Sequence, residues 1–77
     1  MAKRRRQQWD GPRVRALRYH LGLTQGGMAA QMGIRQQTVS EWERGVYQPR
    51  GASVTLLSMV AERAAFRYQA EEPAPDT

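Results

Sequence analysis

Residues 23–45 read LTQGGMAAQMGIRQQTVSEWERG, and this stretch decides how the chain folds. Thr24 suits an N-cap, after which Met28, Ala29 and Met32 fall on one side of a helix over residues 25–32. Gly26 and Gly27 weaken that helix by about 0.5 to 1 kcal/mol each relative to Ala, so packing rather than propensity must hold it. Gly33 breaks the chain and Ile34 anchors it. A further helix over residues 36–44 places Val39 and Trp42 on one face and leaves Gln36, Gln37, Ser40, Glu41 and Arg44 on the others. Gly45 supplies its stop. Ala29 has to be small because the two helices cross closely there, while Ile34, Val39 and Trp42 fix the second helix on the core.

Outward from this pair, the flanking segments also read as helices. Asp10 or Gly11 can cap a helix in which Pro12 sits well in the first turn, where its missing N–H costs nothing. Val14, Leu17 and Leu21 share a face, Gly22 with Leu23 reads as a stop, and the helix spans residues 12–21. Arg13 and Arg15 then point to solvent. On the other side, residues 46–51 form a loop by their Pro and Gly content, and residues 52–66 form a last helix with Leu57, Val60 and Ala64 on one row and Leu56 beside them. Alternation over residues 66–69 leaves a short strand open. The expected fold is all-α, a compact bundle of four to five short helices over residues 10–66. Residues 1–9 are expected to be a basic flexible arm, and residues 67–77 an acidic, disordered tail.

Charge is divided unevenly along the 77 residues. Residues 1–50 hold ten basic and three acidic side chains, residues 51–77 two and four, and the whole chain carries +5. Such asymmetry calls for an anionic partner of the first half, and charge alone does not choose between nucleic acid, a membrane surface and an acidic protein. The run Lys3, Arg4, Arg5 and Arg6, taken alone, fits a solvated tail as well as a phosphate-tracking arm. Chemistry is sparsely provided for. With no Cys there is no disulfide, thiolate metal site or thiol nucleophile, and the lone His20 cannot build a metal site or a triad. His20 lies near the end of the first helix, where it favours the helix dipole. Glu41 and Glu43 stand two apart on a helix and face different ways, so they form no acid–base pair. Gly26 and Gly27 lack the Lys and Ser or Thr of a phosphate-cradling loop. No enzyme activity, cofactor or metal is expected. No apolar run approaches the roughly 18 to 20 residues of a membrane span, and a cytoplasmic protein is the expectation, nucleoid-associated when bound to DNA.

Two short helices joined by a turn of about three residues holding Gly33 have the spacing of a helix-turn-helix, whose second helix can enter a major groove. Leu23-Thr24-Gln25, Met28-Ala29, Gly33-Ile34, Val39-Ser40, Trp42-Glu43 and Gly45 together resemble the helix-turn-helix domain of phage repressor and Cro-like (XRE-type) regulators over residues 12–64. Trp42-Glu43-Arg44-Gly45 with Pro49, Gly51 and Leu56-Leu57 is also similar to small bacterial regulators and antitoxins of that family. The resemblance implies base reading in the major groove by Arg35, Gln36, Gln37, Ser40 and Glu41. It implies backbone contacts from Gln25, Thr38, Arg44, Tyr47 and Arg50, joined by the arm cations Lys3, Arg4, Arg5 and Arg6. Gln suits adenine, donating to N7 and accepting from N6, so adjacent glutamines suit A·T-containing sites. The resemblance further implies a structural ion pair between Arg18 and Glu43.

Three positions depart from the family pattern. Gly27 stands where many relatives place the Glu that completes a capping box with Thr24. Arg35 and Arg50 stand where relatives place Ser or Thr caps. Trp9 either staples the arm onto the first helix or sits against DNA. Two functions remain open at this level: a sequence-specific double-stranded DNA-binding regulator, a repressor acting as a homodimer through Phe66, Tyr68 and the end of the last helix, or a protein-interaction module such as an antitoxin or adaptor whose partner is held by that helix and the tail.

Overall fold

A computed structural model describes residues 9–67, and within them the chain forms four α-helices and no strand: α1 (Gly11–Leu21), α2 (Gln25–Met32), α3 (Gln36–Arg44) and α4 (Ala52–Arg63). Local chemistry sets the first two starts. Asp10 Oδ1 accepts from the Arg13 amide at 3.0 Å, with Pro12 in the first turn of α1. Thr24 Oγ1 accepts from the Gly27 amide at 2.9 Å and opens α2. Neither Arg35 nor Gly51 caps its helix with a side chain, so α3 and α4 start without that help.

All four helices end in the same way. The amide after the left-handed residue reaches back five positions, Leu23 to Arg18, Ile34 to Ala29, Val46 to Glu41 and Phe66 to Ala61, at 2.9 to 3.1 Å. In each case the residue making that bond is apolar, as is common in a Schellman stop. Glycine occupies the left-handed position in the first three, and at Gly33 (φ 70°) it allows the abrupt turn between α2 and α3. In the fourth, Ala65 takes φ 54° instead.

That last stop corrects the expected helix over residues 52–66. α4 closes at Arg63, Ala64 becomes its C-cap, and Phe66 folds back onto the core. The Phe66 ring stacks on Trp9 at 6.5 Å between centroids and tilts against His20 at 5.3 Å. Trp9, at the end of the expected arm, is itself core at 3% exposure, and its indole N–H donates to Ser58 Oγ at 3.1 Å. His20 Nε2 donates to the Ala64 carbonyl at 2.8 Å, so its specific partner is the end of α4 as well as the dipole of its own helix.

The core collects Val14 and Leu17 from α1, Met28, Ala29 and Met32 from α2, Val39 and Trp42 from α3, and Leu57 and Ala61 from α4. Leu21, Leu56 and Val60 pack at its edge. Helix α1 meets α3 end to end: a Cβ on Gly11 would stand 2.7 Å from the carbonyl oxygens of both Trp42 and Glu43. The positive end of one helix thus lies on the negative end of another, at a distance only Gly permits. Among the described residues, no helix is long and apolar enough to cross a membrane.

Candidate nucleic-acid interface

Amphipathic α3 carries the candidate interface. Val39 is fully buried and Trp42 nearly so, while Arg35, Gln36, Gln37 and Arg44 are exposed and Thr38, Ser40 and Glu41 half-buried. The outward face is tied along its length by side-chain hydrogen bonds. Gln37 Nε2 donates to Glu41 Oε2 at 3.0 Å, and Arg44 Nε donates to Ser40 Oγ at 3.3 Å, each across one helical turn. Gln36 instead leans toward α2, its Oε1 lying 3.4 Å from where a Cβ of Gly26 would stand. A side chain at residue 26 would therefore touch the first residue of α3 at ordinary contact distance.

Behind this face, one carboxylate joins three elements. Glu43, with a side chain 2% exposed, accepts from Arg18 Nε at 2.6 Å and from the second arm of the same guanidinium at 2.9 Å. Gln25 Nε2 donates to it at 3.2 Å from the start of α2, and Arg15 Nε at 3.4 Å from α1. Arg18 also donates to the Leu23 carbonyl at 3.2 Å, which ties the α1–α2 connection to the same group. Burial alone would push the Glu43 carboxyl up. The hydrogen bonds from Arg18, Gln25 and Arg15 and the charge of Arg18 outweigh it and hold the group below the ordinary glutamate range. Its hydrogen bonds with Glu43, opposed by burial, push the Arg18 guanidinium further up, so the pair stays ionised.

Two of the cations expected in solvent have protein partners. Arg15 is half exposed but reaches both the Glu43 carboxylate and, at 3.4 Å, the Glu43 carbonyl left open at the end of α3. Arg13 lies over the Trp9 ring, 4.9 Å from its centroid. The spacing of Arg15 and Arg18, three apart and hence on neighbouring positions of one helix face, was the signal for Arg15. Gln25 has one amide N–H committed to Glu43 and the rest of its amide free at the start of α2.

The loop after α3 continues the exposed surface. Tyr47 is 63% and Val46 50% exposed, and Arg50 is exposed beside the buried Pro49. An open groove separates this loop from residues 10–12. Lys3, Arg4, Arg5 and Arg6, together with Tyr68 and the tail, lie outside the described residues. Among the described residues, no three His, Cys, Asp or Glu side chains come together as metal ligands.

Comparisons with known proteins agree with this geometry on one motif. Residues 14–62 match the helix-turn-helix family model. The chain is 38% identical over 52 residues to the HTH-type transcriptional regulator DicA of Escherichia coli (strain K12), a match that covers 68% of this chain and 38% of that relative. The chain therefore spans well under half the length of the relative it matches. The matched residues run from Val14 in α1 through the α2–turn–α3 pair to Glu62 near the end of α4, and the chain belongs to the repressor- and Cro-like helix-turn-helix family.

Proposed function

We propose that the chain is a sequence-specific, double-stranded DNA-binding regulator of transcription, a repressor, that inserts α3 into the major groove. One observation carries this reading: α3 is fixed by Val39 and Trp42 against α1 and α2, so a rigid helix presents a polar face of groove width. Arg35, Gln36, Gln37 and Ser40 form the base-reading side, with Glu41 beside them on the same face. Gln25, Thr38, Arg44, Tyr47 and Arg50 flank it as backbone contacts, with Lys3, Arg4, Arg5 and Arg6 adding affinity from the arm. The name of the matched relative as a transcriptional regulator supports the same class.

Two copies acting on a palindrome would set their recognition helices about 34 Å apart. Phe66 packs inward, so a homodimer contact falls to the outer side of α4, where Met59 is 47% exposed. A protein of this kind works in the cytoplasm, at the nucleoid.

The test is selection of bound duplexes from a random-core library by the purified chain at about 150 mM salt, where nonspecific binding is weak. Enrichment of a palindrome is the expected result and delivers the operator. Enrichment of a single short half-site removes the dimer and keeps the DNA reading. No enrichment removes the reading and favours a protein partner.

A further inference from the structure

The two adjacent glutamines at the start of α3 are not equivalent. Gln36 leans toward Gly26 with no side-chain hydrogen bond, while Gln37 gives one amide N–H to Glu41 at 3.0 Å. A glutamine amide has two N–H groups, one beside Oε1 and one on the far side of the nitrogen. Reading adenine takes the edge formed by Oε1 and the near N–H, which accept from N6 and donate to N7. Guanine offers only the acceptors O6 and N7 in the major groove, so an amide that reads it must turn Oε1 away and present its nitrogen instead.

We propose that Glu41 is a positioning residue that restricts Gln37 to adenine. Its carboxylate holds the amide nitrogen at 3.0 Å, and with the far N–H given to that bond the amide is kept in one rotamer whose Oε1 edge is left for the base. Flipping the amide would set Oε1 against the carboxylate, acceptor against acceptor. In the held rotamer Oε1 would face guanine O6, acceptor against acceptor, and turning the nitrogen outward in its place would break the 3.0 Å bond. Glu41 acts through Gln37 and not on a base of its own, because it stands one turn, about 6 Å, further along α3, whereas the first residues of a recognition helix meet the base edges. The inference rests on α3 being the helix in the major groove.

The test uses the full chain and the duplex enriched from the random-core library, with each A·T pair exchanged in turn for G·C and binding followed by fluorescence anisotropy. Gln37→Ala should abolish the adenine preference at one base pair. Glu41→Ala should lower that preference at the same base pair by about two- to ten-fold, the cost of ordering one freely rotating side chain, chiefly by letting guanine in. In the Gln37→Ala background Glu41→Ala should change nothing further, and Glu41→Gln, which keeps a neutral acceptor, should retain most of the preference. Glu41 is half-buried and lies outside the core, and unchanged melting of each variant separates these effects from folding. A change at a base pair other than that of Gln37 would make Glu41 a reader and overturn the proposal. So would an unaltered adenine preference in Glu41→Ala. If the unmodified chain enriches no sequence at all, the major-groove reading itself falls and the bracing role goes with it.

Discussion

Replacing Glu43 by Ala removes the acceptor shared by Arg18, Gln25 and Arg15, and the structure sets the size of the loss. The carboxylate is 2% exposed and the Arg18 side chain 13%, so truncation strands a guanidinium that water reaches poorly. Breaking a buried pair from one side costs on the order of 3 to 5 kcal/mol. Arg18 keeps its bond to the Leu23 carbonyl and a narrow path to solvent, which places the expected loss near ~3 kcal/mol. The exposed Arg15 contact adds little, about 0 to 1 kcal/mol. A domain of this length has on the order of 3 to 9 kcal/mol of stability in all, so the variant is brought close to unfolding. The midpoint of thermal melting followed by far-UV circular dichroism should fall by about 12 to 24 °C. Arg15→Ala, touching the same carboxylate from outside, should shift it by only a few degrees. Arg18→Met/Glu43→Leu should recover most of the loss, because it removes both charges and refills the volume with apolar side chains. A Glu43→Ala midpoint within about 4 °C of the parent, or a double variant as unstable as the two single losses added, would refute the claim that this pair is held away from water.

Four further outcomes follow from individual side chains. Because the Glu43 carboxyl is held below its ordinary value of 4.5, its contribution is complete above that pH and is lost as pH falls through the lowered value. Urea midpoints should therefore drop below about pH 4.5 in the parent and drop less steeply in Glu43→Gln. Gly11→Ala puts a methyl group 2.7 Å from two carbonyl oxygens where ordinary contact begins near 3.4 Å, and should cost about 1 to 3 kcal/mol in denaturant despite the better helix propensity of Ala. Ala65→Gly relieves a left-handed Ala (φ 54°) and should stabilise by about 0.5 to 1 kcal/mol, with no gain meaning that α4 does not end there in solution. Replacing Lys3, Arg4, Arg5 and Arg6 by Ser should flatten the dependence of log K on log salt by about 0.9 for each phosphate no longer neutralised, equally for selected and random duplexes, and an unchanged slope would detach the arm from DNA.

Much of this was legible along the chain because local chemistry and short-range periodicity carried it. Asp10, Thr24, Gly22, Gly33 and Gly45 are caps and stops whose side chains, or lack of them, act within a few residues, and the helix ends they imply are those observed, save that α1 starts at Gly11, one residue earlier than expected, with Asp10 as its cap. Val39 with Trp42, and Met28 with Met32, declare their inward faces by spacing alone. The end of α4 was hidden for the complementary reason. Its left-handed residue is Ala65, which carries no sequence signal, and it is held by Phe66 closing over Trp9 from 57 residues away in the chain.

The interface divides along the same line. The order of residues determined which side chains α3 turns outward, since the helical period fixes that once Val39 and Trp42 are buried. Only the tertiary structure decided what those side chains are already committed to. Gln25 and Arg15 meet Glu43 across α1, α2 and α3, and Gln36 leans toward Gly26 of the neighbouring helix, whereas the Gln37–Glu41 bond lies within one turn of α3 and follows from its spacing. Likewise Gly11 reads in the sequence as a possible cap, yet its lack of a side chain is required by two carbonyls at the far end of another helix. Distances of that kind arise when helices pack, and no single segment contains them.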